Sequence, residues 1–186
     1  MNQQKIEHAV RELLVAVGED PDRSGLVETP KRVAKMYQEI FSSLNHRPED
    51  FANYKKFHVD SNPEMVSINH IPIYSMCEHH LLPFFGYADI AYIPNNNMVL
   101  GLSKIPRLVE FVSKKPTMQE KITTDIVKQL AKFINPKGIA VAIKARHLCM
   151  EMRGINKYGQ YTYTSDYAGL FNEDDRLKQE FLKQRG

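Results

Sequence analysis

Apolar residues recur at helical spacing through the first part of the chain and at strand spacing through its middle. Ile6, Val10, Leu13, Leu14 and Val17 fall on one face of a helix, and Gly18 follows as a stop. The polar stretch EDPDRSGLVE reads as the loop after it. Thr29 then serves as an N-cap with Pro30 at the first helical position. Val33, Met36, Tyr37, Ile40, Phe41 and Leu44 supply the apolar stripe of this second helix. Residues 45–64 are polar, carry two prolines and read as a connecting loop.

Beyond that loop, MVSINHI, FFGYADIAYI and MVLGL have the β-branched and aromatic content of strands. Two further helices are predicted. One spans Lys104 to Lys114 with Ile105, Leu108, Val109 and Val112 inward; the other spans Met118 to Ile134 with Ile122, Ile126, Leu130 and Phe133 inward. A turn at Gly138 leads into IAVAIKA, then HLCMEMR, then the alternating YTYTSDY. Asn172 with Glu173, Asp174 and Asp175 starts a last helix, where negative charge suits the helix dipole. The order αα, ββ, αα, ββ, α predicts an α+β fold in which paired helices cover one face of an antiparallel sheet. It divides the chain into N-terminal helices with their connecting loop (1–64) and a sheet-bearing domain (65–186).

Composition narrows the class of function. A chain of 186 residues suits one domain with a helical extension. The net charge of +3 comes from scattered rather than clustered basic residues, so nucleic acid is not the expected partner. The N-terminus MNQQKIEHAVRE lacks a basic region followed by an apolar run, and no window approaches the ~20 apolar residues of a membrane span. The expectation is a cytoplasmic protein with no membrane partner. In a reducing cytosol, two cysteines with a histidine three residues after the first favour metal ligation over a disulfide.

That cysteine lies in SMCEHHLLPF. Cys77 and His80 form a C-x-x-H pair, and the other cysteine, Cys149, lies far downstream at a predicted strand end. Two thiolates and one imidazole are one ligand short of a closed tetrahedron. Three protein ligands plus water make a catalytic zinc, whereas a fourth ligand such as His147 or His70 makes a structural one, and spacing alone leaves both open. On an extended backbone His79 points away from the metal and is free for proton transfer.

CEHHLLPF, AYIP, GLSK, PTMQE and HLCMEMRG stand in the order and spacing of the GTP cyclohydrolase I family, and GEDPDRSGLVETPKRVAKMY resembles that family's N-terminal helical region. The similarity spans nearly the whole chain, and several independent motifs in register are far more specific than any one alone. The resemblance implies hydrolysis of GTP to 7,8-dihydroneopterin triphosphate and formate, the first step of pterin and folate biosynthesis. It also implies the tunnelling fold, a four-stranded antiparallel sheet with two helices on one face that joins others into a barrel, usually a homodecamer with active sites between subunits.

Carried over by position, Cys77, His80 and Cys149 match the zinc ligands, which present an activated water to C8 of guanine. His79 and His147 match the catalytic histidines; imidazole titrates near neutrality, as a group that both gives and accepts protons must. Glu120 matches the residue that holds the guanine edge, although T-M-Q-E also reads as a capping box. Gln119 is its neighbour in substrate binding. The chain has no G-x-x-x-x-G-K-[ST] loop, so side chains must hold the triphosphate. Lys104 with Arg107, and Arg32 with Lys35, each face one way on a helix. These four, Arg153 and Ser103 match the family's phosphate-binding positions. Tyr87, Asp89 and the stretch QYTYTSDYAGLF with Asp166 depart from the family's usual text, and an added carboxylate near a tetra-anion is expected to weaken affinity. Two competing readings are a 7-cyano-7-deazaguanine reductase of the same fold, against which the C-x-x-H and H-x-C motifs speak, and a catalytically silent zinc protein.

Overall fold

The computed structural model describes residues 1–51, 55–61 and 63–185. Helix α1 (Gln3–Ala16) starts where the Asn2 side chain accepts the Lys5 N–H at 2.9 Å, and it ends at Val17 ahead of Gly18, whose φ is +87°. Helix α2 (Thr29–Ile40) packs along it. Thr29 is the first helical residue rather than the cap. Glu28 occupies the cap position without a side-chain bond, and Pro30 sits in the first turn, where its missing N–H costs nothing. The link predicted over 45–64 contains short elements, α3 (Pro48–Phe51) and β1 (Lys56–His58), after a 3-10 turn at Ser42–Asn45. Positions 52–54 and 62 of that link lie outside the described residues.

Strands β2 (Val66–Cys77) and β3 (Pro83–Ile93) form an antiparallel hairpin, whereas β4 (Met98–Leu100) turns away to pair with β1 as a separate ribbon. The chain continues through α4 (Lys104–Ser113), β5 (Pro116–Thr117), α5 (Gln119–Ile134) and β6 (Gly138–His147). It then forms α6 (Leu148–Glu151), β7 (Thr162–Gly169), α7 (Leu170–Glu173) and α8 (Asp175–Gln184). The main sheet has the order β5-β2-β3-β6-β7, antiparallel except for the two-residue β2–β5 pairing. The expected four long strands and two covering helices are therefore present. Strand β7 and most of β2 remain open edges.

One face of the sheet packs on α4 and α5. Ile73, Phe84, Ile90, Tyr92, Ile139, Val141 and Ile143 meet Leu108, Val109, Ile122, Ile126 and Leu130. Full burial of each such large side chain contributes about 1.5–3 kcal/mol. A Cβ at Gly86 would stand 1.9 Å from the Lys144 carbonyl oxygen, so only glycine lets β3 approach β6 at that point.

The opposite face is only half covered. Phe171 and Phe181 pack on Ala91, Ile93, Ala140 and Ala142, while Tyr74, Tyr87 and Tyr163 stay exposed. Asp89 lies on this second face, because it alternates with Ala88 and Ile90 and shares the side of Ala91. It is 5% exposed, takes the His70 N–H at 2.9 Å and is paired to Arg185 Nε at 3.0 Å. Tyr87 shares that side. Neither residue faces the helix-covered end of the sheet where the candidate ligands gather, so Asp89 acts as an internal tie rather than as a charge set against an anion.

The same tie holds the end of the chain. Asp174, rather than Asn172, caps α8 by accepting the Arg176 N–H at 2.8 Å. The far end of α8 is fastened to β2 by Ser67 Oγ to Gln184 Oε1 (2.6 Å) and Asn69 Nδ2 to the Gln184 carbonyl (3.1 Å). A β-bulge at Asn69–His70, with His70 at φ +57°, turns the His70 N–H toward Asp89. Between α6 and β7, every residue from Met152 to Tyr161 is exposed. Among the described residues no helix is long and apolar enough to cross a membrane.

Candidate metal centre and its surroundings

The C-x-x-H pair sits on a tight reversal at the end of β2. The Cys77 N–H donates to the Leu82 carbonyl and the Leu81 N–H to the Cys77 carbonyl, both at 2.9 Å, and Leu81 takes the left-handed conformation (φ +51°) that closes the turn. The Glu78 N–H donates to the Thr117 carbonyl at 3.1 Å and pins the turn to β5. A turn, unlike a strand, brings residues three apart to one side, so Cys77 and His80 face together. It also removes the extended backbone on which His79 was expected to point away. His79 Nδ1 is 3.7 Å from Cys77 Sγ.

Cys149 reaches the same spot by a different route from the one expected. Pairing of β6 with β3 ends at His147 opposite Phe84, and Leu148–Glu151 wind into the single helical turn α6, so Cys149 stands on a helix rather than at a strand end. Arg146 holds that turn back against β6 through a two-pronged pair to Glu151 at 2.8 and 2.6 Å.

The ligand atoms of Cys77, His80 and Cys149 all lie within 4.8 Å of one another. Zinc–sulfur and zinc–nitrogen bonds of ~2.0–2.3 Å place tetrahedral donors roughly 3.5–4 Å apart, so a small contraction closes the set on one ion. Both cysteines are free thiols. Burial first, and then the neighbouring Cys77, push the Cys149 thiol up, whereas the Arg153 charge pulls the other way. Two sulfurs beside an imidazole are a donor set that zinc accepts, and the residues therefore fit zinc. Among the described residues no fourth histidine, cysteine or carboxylate joins the set. His70 belongs to the bulge beside Asp89, and His147 is engaged elsewhere.

His147 lies stacked on Phe84, with centroids 4.6 Å apart and planes at 5°, and its Nε2 is 2.8 Å from Gln119 Oε1. Burial pushes the imidazole below its usual value, opposed by the nearby carboxylates of Glu120 and Glu151. Gln119 is 1% exposed rather than a surface helix position. Its Nε2 reaches the Ile143 and Thr162 carbonyls and Thr164 Oγ1. No local pattern announces this network, because the partners come from two strands distant in sequence.

Glu120 is exposed in the first turn of α5, and the capping box is not formed. Met118 holds the cap position, no side chain caps the helix, and the Glu120 carboxylate is left available beside His147. Ser103 precedes α4 likewise without a side-chain cap. Lys104 and Arg107 follow in the first turns of α4, and Arg153 lies near Cys149. Arg32 and Lys35 lie on α2, which packs mainly along α1. None of these five cations has an acid partner among the described residues.

A family model described as GTP cyclohydrolase I matches residues 6–185. The protein "GTP cyclohydrolase 1" of Lactiplantibacillus plantarum is 57% identical over 183 residues, covering 98% of this chain and 96% of that one. The protein of the same description from Caldanaerobacter subterraneus is 49% identical over 182 residues, covering 98% and 96%. A "Bifunctional protein FolKE" of Lactococcus lactis is 54% identical over 181 residues, which are 96% of this chain but 51% of that protein. Among solved structures, an archaeosine synthase QueF-Like in the apo form superposes with a TM-score of 0.48 at 15% identity, over 59% of this chain and 97% of that one.

Proposed function

The chain belongs to the GTP cyclohydrolase I family, and on that premise we propose how its residues share the conversion of GTP and water into 7,8-dihydroneopterin triphosphate and formate. The observation that carries the assignment is the convergence of Cys77, His80 and Cys149 within 4.8 Å at the sheet end that also holds His147. These three residues would hold zinc, which when bound supplies positive charge and an activated water at neutral pH.

Glu120 grips the substrate by its guanine edge, its carboxylate accepting from N1–H and the 2-amino group together. Adenine offers no such pair of donors, and an unpaired acceptor there costs about 1–3 kcal/mol. Opening of the five-membered ring at C8, release of formate and reclosure to the pterin each need protons moved. His147, clamped by Phe84 and Gln119, and His79, on the Cys77 turn, are the two imidazoles positioned for that work.

The triphosphate falls to Lys104 and Arg107 with Ser103 at the start of α4, and to Arg153. Arg32 and Lys35, on a helix that packs mainly along α1, complete the set from a neighbouring copy. Two open sheet edges and exposed apolar residues on α1, such as Leu13 at 61%, support assembly into a homo-oligomer, a decamer with active sites between subunits. Residues 1–64 act as the helical unit of that assembly and 65–186 as the catalytic domain. Two ligand thiols that must stay reduced support a cytoplasmic setting.

The test is incubation of the zinc-loaded protein with GTP, with formate and the pterin triphosphate both quantified. Equal amounts of the two products are expected. A folded, zinc-loaded protein that yields neither is a silent zinc protein and ends this reading.

A further inference from the structure

We propose that Gln119 is a positioning residue that fixes the tautomer of His147, with the proton on Nε2 and the free lone pair on Nδ1. The proposal rests on the acid/base role given above to His147.

The orientation of the Gln119 amide follows from its partners. One terminal atom lies 3.2 Å from the Ile143 carbonyl oxygen and 3.1 Å from that of Thr162, and carbonyls only accept. That atom must be the nitrogen, since the reverse orientation would set the amide oxygen against two other oxygens. The hydroxyls agree. Thr123 Oγ1 gives its proton to the Gln119 main-chain carbonyl at 2.9 Å, so across the 2.7 Å contact Thr164 is the donor to Thr123. The Thr164 oxygen is then left to accept from the Gln119 amide at 3.0 Å.

The two amide protons are thereby shared among three acceptors inside the protein, and Oε1 is the end that faces His147 Nε2 at 2.8 Å. An amide oxygen accepts and never donates, so Nε2 carries a proton. A flipped ring of the same shape would set a C–H against that oxygen, so the 2.8 Å contact selects this orientation, and the 1% exposure of Gln119 leaves no water to replace it. The ring's lone pair is therefore on Nδ1, the nitrogen that Gln119 leaves unengaged. Gln119 thus acts through His147 rather than by touching the substrate.

The experiment begins with the zinc-loaded, otherwise unaltered protein carrying nitrogen-15 and carbon-13 in its histidines, examined by solid-state NMR. The His147 signals are those missing from His147→Asn. The Nε2–H tautomer is expected, and an Nδ1–H tautomer overturns the proposal without touching the assignment of His147 as acid and base. Gln119→Met keeps the length and removes both polar ends. Loss of such an orienting partner is expected to lower kcat about 10–100-fold with KM for GTP little changed. A raised KM at parental kcat makes Gln119 a substrate contact and overturns the proposal even if the tautomer is as expected. A His147→Ala protein that releases formate at the parental rate removes the acid/base role on which the proposal rests.

Discussion

Replacing Asp89 with alanine separates a structural from an electrostatic role for the least expected carboxylate in the chain. Its side chain is 7% exposed and that of its partner Arg185 is 18% exposed, at 3.0 Å. Breaking a buried pair by removing one member costs about 3–5 kcal/mol, because the other charge stays behind uncompensated. Arg185 follows the last turn of α8 and can swing toward water, which lowers the expectation to about 2–3 kcal/mol, including the lost acceptor for the His70 N–H. At about 2–4 °C per kcal/mol for a chain of this size, the melting midpoint should fall by about 4–12 °C. Asp89→Asn retains an acceptor for His70 and should lose less. Arg185→Ala combined with Asp89→Ala should cost little more than Asp89→Ala alone, because the pair acts as a unit. Thermal and urea denaturation of the four proteins, with KM for GTP measured on each, checks the argument. A midpoint unmoved by Asp89→Ala, or a KM for GTP that falls on removing the carboxylate, would refute it in favour of repulsion between Asp89 and the triphosphate.

Cys149→Ser should lose zinc and activity while keeping its circular dichroism and oligomer size, because an open three-ligand site is not what holds α4 and α5 to the sheet; an unfolded product would make the metal structural. Glu120→Ala should lower kcat/KM for GTP by about 5–150-fold, the equivalent of one unpaired buried donor or acceptor, and should not disturb α5, which Glu120 does not cap. Parental discrimination between GTP and ATP in that variant would move guanine recognition elsewhere. Arg107→Ala should weaken GTP and leave the poor turnover of guanosine nearly unchanged, and equal losses for both would put Arg107 in the fold rather than on phosphate.

Periodicity made the sheet and its two covering helices legible because their signals are local. Ile122, Ile126 and Leu130 mark the inward face of α5 whatever they pack against, and all three are buried. What escaped was decided by contacts between distant segments. HLCMEMR reads as a strand with Cys149 near its end, yet β6 stops at His147 where its pairing with β3 is exhausted. MVLGL reads as one more strand of the sheet, but it pairs with β1 across a link that looked like plain loop. Glu120 and Ser103 fit the letters of helix caps without making the bonds. Asp89 reads as a carboxylate set against a tetra-anion only because Arg185, its partner, lies almost a hundred positions away. The metal ligands were the exception among long-range features, since their chemistry restricts residue type so strongly that two cysteines and a neighbouring histidine stand out unaided.

The stretch from Met152 to Tyr161 bears on how tightly a triphosphate can be held. All of its residues are exposed, with Tyr161 half covered under Lys144, and its few main-chain bonds include those from Asn156 to Arg153 and from Lys157 to Met150. A segment with so little packing opens locally at low free energy, well below that of the core strands. Arg153 stands at its root, so a nucleotide that engages this guanidinium must also quieten its neighbours, at about 1–2 kcal/mol of backbone entropy for each residue newly fixed. That entropy offsets part of the attraction between guanidinium and phosphate. Amide hydrogen exchange across 152–161 should slow when GTP binds and remain fast with guanosine. An unchanged pattern would mean that Arg153 is already in place before the nucleotide arrives.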